Sequence, residues 1–260
     1  MGITLLWLSL IVLLPLSAVF AKSLGAGWSG FWAAAGSERA LAAYRLSFGG
    51  ALLAAAVNLV FGLLVAWVLV RYAFPGRRLL GALVDLPFAL PTAVAGIALT
   101  ALYAESGPIG RVLAAADLPV AYRPAGVVVA LVFIGLPFVV RTVEPVLAQV
   151  SRETEEAALT LGATRLQTFR RVILPALAPA LATGFALAFA RGAGEYGSVI
   201  FIAGNIPGKS QIAPLQIVQK LDDFHYEQAT AIGTVLLAAS LLILLAINAV
   251  QMALRRRRAG

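Results

Sequence analysis

Apolar residues along this chain are collected into long windows that carry almost no charge, with polar connections between them. A membrane-spanning helix needs about 20 predominantly apolar residues, and the windows are close to that length. They lack the alternation over about ten residues that is typical of outer-membrane barrels. The pattern therefore predicts an all-α integral membrane protein with six transmembrane helices, over residues 3–20, 46–70, 79–103, 124–140, 172–190 and 228–254.

The first window has one feature of a secretory signal peptide, because Val19-Phe20-Ala21 resembles a cleavage site. Residues 1–6 contain no Lys or Arg, however, and the apolar stretch is longer than the usual hydrophobic region of about 7–15 residues. We therefore expect this window to be retained as the first span.

Composition places most of the chain in lipid. Hydrophobic residues make up 61% of it and charged residues 12%, whereas a soluble domain has roughly 25% charged residues. The absence of cysteine excludes disulfides and thiol catalysis, and a lone histidine, His225, argues against an imidazole metal site or catalytic pair. We expect no catalytic residue, no metal and no cofactor bound by this chain.

The distribution of basic residues predicts the orientation, because cytoplasmic connections are enriched in Lys and Arg. Of the 20 Lys and Arg residues, 12 fall in the shorter set of connections: Arg71, Arg77, Arg78, Arg141, Arg152, Arg165, Arg170, Arg171 and Arg255–Arg258. That set is predicted to be cytoplasmic, with both termini on the same side and the loop over residues 191–227 outside. The C-terminal arginines are then a topological anchor, and no nucleic-acid partner is expected.

The connection over residues 141–171 contains the most informative pattern. Ser151 is a typical N-cap, and the acidic residues that follow it suit the positive end of a helix dipole. Gly162 interrupts this helix, Thr164 caps a second one, and the second is expected to end before Pro175 opens the fifth span. We interpret the segment as two short helices that form a rigid protrusion; an inert surface hairpin is the alternative.

The same segment resembles the EAA signature of permease subunits in binding-protein-dependent ABC importers. The matching residues are Glu156, Ala157, Ala158, Gly162, Leu174 and Pro175, with Val172 where that family usually has isoleucine. The resemblance implies the type I ABC importer permease fold. It also implies that the protrusion is a coupling helix, seated in a cleft of a separate ATPase subunit.

Further segments resemble the sulfate/thiosulfate and molybdate permeases of that family: residues 71–77, 85–96, 194–197 and 203–206. Residues 141–147 and 238–242 favour the T-type subunit of sulfate importers, while residues 207–211 are closer to molybdate permeases. Within the resembling segments, the candidate pathway or gate residues are Pro91, Thr92, Gly194, Glu195, Gly204 and Asn205.

The resemblance implies that this chain forms half of a sulfate/thiosulfate pathway in the bacterial cytoplasmic membrane. The implied partners are a dimer of ABC ATPase subunits that hold ATP-Mg, a second permease subunit, and a periplasmic sulfate/thiosulfate-binding protein. A heterodimer of permeases is favoured. A homodimeric molybdate or tungstate permease is one alternative. A stand-alone carrier or channel is the other, although no clear repeat relates the two halves.

Two other patterns have ordinary explanations. Residues 203–210 satisfy a relaxed P-loop pattern, but no soluble domain supplies the strand–helix unit that such a loop needs. The apolar run over residues 197–207 is too short to span a membrane, so we expect it to dip back into the outer mouth; a surface hairpin is the alternative.

Polar side chains near or inside the windows are expected to have structural partners. The pairs Arg191–Glu195 and Arg141–Glu144 have the spacing of ion pairs on one helix face. Asn58 is expected to bond another helix, as intramembrane Asn commonly does.

Overall fold

The chain is helical throughout the part described by the structure, a computed structural model that covers residues 2–259 without the side chains of residues 3, 5, 8, 250, 251 and 253–259. The anchor predicted at Arg255–Arg258 thus concerns side chains outside the described part. The helices are α1 (Gly2–Leu8), α2 (Leu14–Ser23), α3 (Gly27–Ala35), α4 (Glu38–Arg71), α5 (Arg77–Ala89), α6 (Thr92–Tyr103), α7 (Pro108–Ala115), α8 (Pro124–Gln149), α9 (Arg152–Thr160), α10 (Arg165–Thr168), α11 (Leu174–Ala193), α12 (Val199–Ile202), α13 (Ala213–Asp222) and α14 (Tyr226–Ala259). Short π turns over Ser9–Leu13 and Phe169–Ile173 join α1 to α2 and α10 to α11.

Among the described residues, four helices are long and apolar enough to cross a membrane: α4, α8, the joined helix Arg165–Ala193, and Tyr226–Ala249 within α14. Two bent pairs of helices pass the same test together, which raises the number of spans to as many as six. The all-helical prediction is confirmed. The count of six spans and the cytoplasmic position of the termini stay predictions.

The third window is not one continuous helix, as the prediction over residues 79–103 assumed. The chain bends by 116° between α5 and α6. The break falls at Pro91, which lacks an N–H and disfavours a helical conformation at Leu90, and Leu90 is accordingly extended (φ −81°, ψ 136°). Pro87 lies inside α5 without ending it.

The helices also extend beyond the apolar windows into the predicted loops. α4 begins at Glu38, eight residues before its window, because Ser37 caps it by accepting a hydrogen bond from the backbone N–H of Ala40. α8 continues to Gln149 and includes the first nine residues of the predicted coupling loop. Hydropathy locates the apolar part of a helix, whereas capping residues determine where the helix begins.

The core is a bundle of α4, α8 and α11 packed at glycine positions. A Cβ atom on Gly62 would lie 2.7 Å from Cγ1 of Val139, and one on Gly184 would lie 2.9 Å from the Cα of the same valine. Between membrane helices, association depends on close packing at small residues. These glycines therefore allow α4 and α11 to contact α8 from two sides.

A short helix, α3, lies across the bundle end. It makes an angle of 100° with the segment Ser9–Ser23 and packs on α14 through Phe31, Ala35 and Ala231. The tryptophan-rich segment before the second predicted span suits a short helix at the level of the lipid headgroups. The structure contains such a helix, and its depth in the membrane stays a prediction.

Candidate functional site

The protruding helix α9 has the N-terminus that the sequence predicts. The Ser151 hydroxyl accepts a hydrogen bond from the backbone N–H of Thr154 at 3.3 Å. Glu153 and Glu155 lie in the first turn, where carboxylates are stabilised by the helix dipole. The capping prediction is confirmed.

The turn after α9 requires glycine, which confirms the predicted interruption. Gly162 has φ +85°, a left-handed conformation that costs an L-residue with a side chain about 1 kcal/mol or more. Thr164 then opens α10 with a capping box. Its hydroxyl accepts from the N–H of Gln167, and the Gln167 side chain accepts from the N–H of Thr164 at 2.8 Å.

The second short helix does not end before Pro175, contrary to the prediction. It continues from Arg165 to Ala193 through the π turn Phe169–Ile173. A π turn widens the helix immediately before the proline, whose ring would press on the carbonyl of Arg171 in a regular α-helix. The protrusion is thus a direct extension of α11.

A second connection ties α9 to α4, and sequence reasoning missed it. The guanidinium of Arg71 forms an ion pair with Glu155 and donates a 3.0 Å hydrogen bond to the carbonyl of Val150. In return, Arg152 donates to the carbonyl of Arg71 at 2.9 Å. Arg71 also lies over the ring of Trp67, 5.6 Å from its centroid. The protrusion is therefore attached to two helices of the bundle.

The EAA residues are not all in one place. Glu156, Ala157 and Gly162 are exposed on the protrusion and Ala158 is half-buried there. Leu174 and Pro175 lie at the start of α11, in a groove of about 480 Å³. The tip adds three exposed leucines that the sequence analysis did not single out: Leu159 (45% exposed), Leu161 (88%) and Leu166 (58%). Leucines at this exposure on a charged protrusion are typical of a binding surface.

At another part of the bundle, the break between α5 and α6 meets the segment that follows α11. A Cβ atom on Gly197 would lie 2.2 Å from Oγ1 of Thr92, and one on Gly96 would lie 2.4 Å from the carbonyl oxygen of Ser198. Backbone and side chain approach so closely only because both positions are glycine. Of the candidate pathway residues, Pro91, Thr92, Gly194 and Glu195 therefore belong to adjoining segments.

Glu195 is a buried carboxylate, and both of its oxygens accept hydrogen bonds from other groups of the protein. It is 4% exposed and forms the predicted ion pair with Arg191. Its other oxygen accepts hydrogen bonds from the backbone N–H and the hydroxyl of Ser198, both at 2.9 Å. In this conformation Glu195 fixes the segment after α11. By contrast, Gly194 is exposed and faces open space.

The remaining two candidates, Gly204 and Asn205, lie against the start of α8. Both adopt left-handed backbone conformations, and Gly204 packs on the backbone of Tyr122. The preceding run Val199–Ile202 is a single helical turn, and Val199, Ile202 and Ala203 have no exposed surface. One face of this helical turn packs against the bundle while Phe201 on it is 40% exposed, so the run does not form a surface hairpin. It is also not the strand that a P-loop would need.

An ion-pair cluster fastens the half-span α5 to α8. Arg141 donates from Nε to Asp85 at 2.7 Å and from Nη1 to Glu144 at 2.6 Å, and it also donates to the carbonyl of Gly81 at 2.9 Å. The local pair with Glu144 agrees with the sequence prediction. The distant pair with Asp85 was not predicted.

The side chain of Asn58 forms no hydrogen bond to another helix within the described residues. It is completely buried against Gly135, and its amide finds no hydrogen-bond partner within the described residues. The expectation of an interhelical hydrogen bond is not met there. The described residues also contain no group of three or more side chains of the kinds that hold a metal ion.

The known proteins that this chain matches are membrane components of transport systems. Residues 58–260 match the family model described as "Binding-protein-dependent transport system inner membrane component". The "Sulfate transport system permease protein CysT" of Salmonella typhimurium strain LT2 is 51% identical over 260 residues, which cover all of this chain and 94% of that protein. The protein of the same name from Synechocystis is 51% identical over 249 residues, with 96% of this chain and 87% of that one covered.

Among solved structures, a bacterial alginate ABC transporter in complex with an alginate pentasaccharide-bound periplasmic protein contains a chain of similar fold. The TM-score is 0.76 at 18% identity, with 94% of this chain and 90% of that chain covered. At this identity the likeness concerns the fold alone.

Proposed function

Because the chain belongs to the family of binding-protein-dependent transport system inner membrane components, we propose that it is a permease subunit of an ATP-driven sulfate/thiosulfate importer. It forms half of the translocation pathway and hydrolyses nothing itself. The assignment of sulfate as the transported anion rests on the sulfate permeases of Salmonella and Synechocystis. Each is 51% identical to this chain over most of its length.

The structural observation that best supports this function is the way in which the protrusion is held in place. α9 has no buried residue, yet it is held by a capped N-terminus, the left-handed turn at Gly162 and the ion pair of Arg71 with Glu155. A free surface loop does not need such bracing. A rigid element that presents Glu156 and exposed leucines to a partner does.

The mechanism follows from the two attachments of the protrusion. ATP binding closes a pair of ATPase subunits, and closure pulls together the two protrusions, each of which is seated in a cleft of one ATPase subunit. α10 continues into α11 without a break, and Arg71 ties α9 to α4, so the displacement reaches two core helices of the bundle. Such rigid-body motion converts an inward-open pathway into an outward-open one.

The pathway binds the anion weakly. No Lys or Arg occurs within the predicted windows over residues 46–70, 124–140 and 172–190. A strongly cationic site would hold a dianion too tightly for release. Selectivity then belongs mainly to a periplasmic sulfate/thiosulfate-binding protein, which delivers the anion to the outer loops.

The complete transporter contains this chain, a second and different permease subunit, and two ATPase subunits in the cytoplasmic membrane of a bacterium. The first test is affinity purification of the tagged chain in mild detergent, with mass spectrometry of the proteins that accompany it. Co-purification of an ATPase and a second, different permease would support the heterodimer. An ATPase with this permease alone contradicts it and favours a molybdate homodimer. No ATPase from intact membranes contradicts the ABC assignment and favours a stand-alone carrier.

The second test measures uptake of radiolabelled sulfate by the reconstituted complex. Glu156→Lys reverses the charge of the exposed protrusion and should abolish ATP-dependent uptake while the protein still inserts in the membrane. Arg78→Glu, which reverses an exposed charge at the same end of the bundle but outside the protrusion, is the control and should transport normally. Normal uptake by Glu156→Lys would contradict the coupling role. Competition by molybdate but not by thiosulfate would contradict the choice of anion.

A further inference from the structure

A cleft of about 400 Å³ opens at one end of the bundle, between α3, the beginning of α4, the end of α13 and the beginning of α14. Its apolar lining includes Gly30, Ala33 and Ala34 of α3, here called the floor, and its charged lining consists of Arg39, Lys220 and Glu227, here called the rim. This volume falls within the range of about 300–1,000 Å³ that is typical of small-molecule sites.

The cleft lies where the apolar stretches of the bundle begin. The candidate spans α4 and α14 both start beside it, at Glu38 and Tyr226. α3 turns by 100° from the segment before it and leaves Trp28 and Trp32 exposed, at 68% and 50%. Exposed tryptophans are typical of the boundary between hydrocarbon and water. This position predicts that the cleft lies at the depth of phospholipid headgroups.

The charged side chains on the rim are available to bind a ligand. None of the ion pairs found among the described residues involves Arg39, Lys220 or Glu227. Arg39 donates one long hydrogen bond, at 3.4 Å, to the side chain of Gln211. Two cations and one carboxylate give the rim a net charge of +1, which complements one phosphodiester.

We propose that this cleft binds a membrane phospholipid. The phosphate lies between Arg39 and Lys220, and a hydrogen-bond donor of the headgroup is directed to Glu227. The upper part of an acyl chain covers the floor at Ala33 and Ala34 of α3. The inference goes beyond the transport function and does not depend on which anion the protein carries. It requires only that the chain is a membrane protein, which its family establishes.

Free phosphate or sulfate shares the anionic chemistry of such a headgroup. A small inorganic anion would satisfy Arg39 and Lys220 but would leave the apolar floor in contact with water. A phospholipid fills both parts of the cleft, because it joins a phosphate to hydrocarbon. The apolar floor therefore favours the lipid over the free ion.

The test is native mass spectrometry of the purified transporter after exchange into nanodiscs of phosphatidylethanolamine, phosphatidylglycerol or phosphatidylcholine. The wild-type protein should retain one phospholipid that Arg39→Gln/Lys220→Gln loses, with affinity lower by about thirty-fold for two basic residues at a membrane surface. The matched control is Arg111→Gln/Lys209→Gln, two exposed basic residues outside the cleft, and it should retain the lipid.

Two further variants separate the parts of the site. Ala33→Leu occupies the floor without changing any charge and should also lose the lipid. Glu227→Gln should reduce the preference for ethanolamine and glycerol headgroups, which donate hydrogen bonds, over choline, which does not. Equal retention by the rim variant and its control would overturn the proposal. So would displacement of the lipid by millimolar inorganic phosphate or sulfate, because that result assigns the cleft to a small anion.

Discussion

Arg71, the last residue of α4, forms an ion pair with Glu155 in the first turn of α9, and the two side chains are only 11% and 22% exposed. The same guanidinium donates to the carbonyl of Val150 at the end of α8. One side chain thus joins two core helices to the protrusion. Because the pair is shielded from water, removing one partner leaves the other charge without compensation, which costs more than the loss of an exposed ion pair.

Removing Arg71 should uncouple ATP hydrolysis from transport. In Arg71→Ala, the protrusion can still enter the ATPase, but its displacement reaches α4 less completely. We expect the number of sulfate ions imported per ATP hydrolysed to fall several-fold, while binding of the ATPase changes little. Arg78→Ala, an exposed arginine at the same end of the bundle, is the control.

The reversed pair Arg71→Glu/Glu155→Arg should restore part of the coupling lost in Arg71→Ala, because it keeps a shielded ion pair at this position. Coupling energies of contacting residues are about 0.5–3 kcal/mol in such double-mutant cycles. A normal ratio of transport to hydrolysis in Arg71→Ala would remove the pair from the mechanism.

Gly162 should tolerate alanine poorly and proline not at all. Its φ of +85° costs alanine roughly 1–2 kcal/mol and is incompatible with the proline ring, which fixes φ near −65°. Gly162→Ala should reduce sulfate uptake partially, and Gly162→Pro should abolish it with membrane insertion intact. Gly49→Ala provides the control, because a Cβ atom there meets nothing within 4 Å. Uptake by Gly162→Pro at the control level would show that the turn is dispensable.

Leu161 should contribute to ATPase binding and not to folding. With 88% of its surface exposed, Leu161→Asp should change the free energy of unfolding by no more than about 0.5 kcal/mol. Burial of a leucine in a partner is worth about 1.5–3 kcal/mol, so affinity for the ATPase should fall at least tenfold. Leu118→Asp changes a leucine that is 62% exposed elsewhere and should leave that affinity unchanged. Pull-down of the ATPase with both variants checks this, and equal recovery would exclude Leu161 from the interface.

Local sequence signals predicted the parts of the site that depend on neighbouring residues. The caps at Ser151 and Thr164, the turn at Gly162 and the ion pair Arg191–Glu195 all involve positions within four residues of one another. Residue type and spacing determine such contacts almost alone.

Distant contacts could not be predicted in this way. Arg71 and Glu155 are separated by 84 residues, and Arg141 and Asp85 by 56. The packing of α4, α5 and α8 determines which charged side chains form ion pairs. The pattern of residues in a single sequence does not reveal that packing. The bend at Pro91 is an intermediate case. The proline indicates a break, but no local signal indicates the angle of 116° or the close approach of α6 to the segment after α11.

That close approach yields the last prediction. A methyl group on Gly96 would lie 2.4 Å from the carbonyl oxygen and 2.9 Å from the Cα of Ser198, so backbone must move to admit it. Gly96→Ala should lower the free energy of unfolding by about 1–3 kcal/mol, as overpacking does, and should shift α6 away from Glu195. Thermal unfolding in detergent and sulfate uptake measure the two effects. Gly49→Ala, also within a helix but facing open space, should be neutral or stabilising. If Gly96→Ala is as stable as Gly49→Ala, α6 and the segment after α11 are free to separate, and their contact is not a fixed part of the bundle.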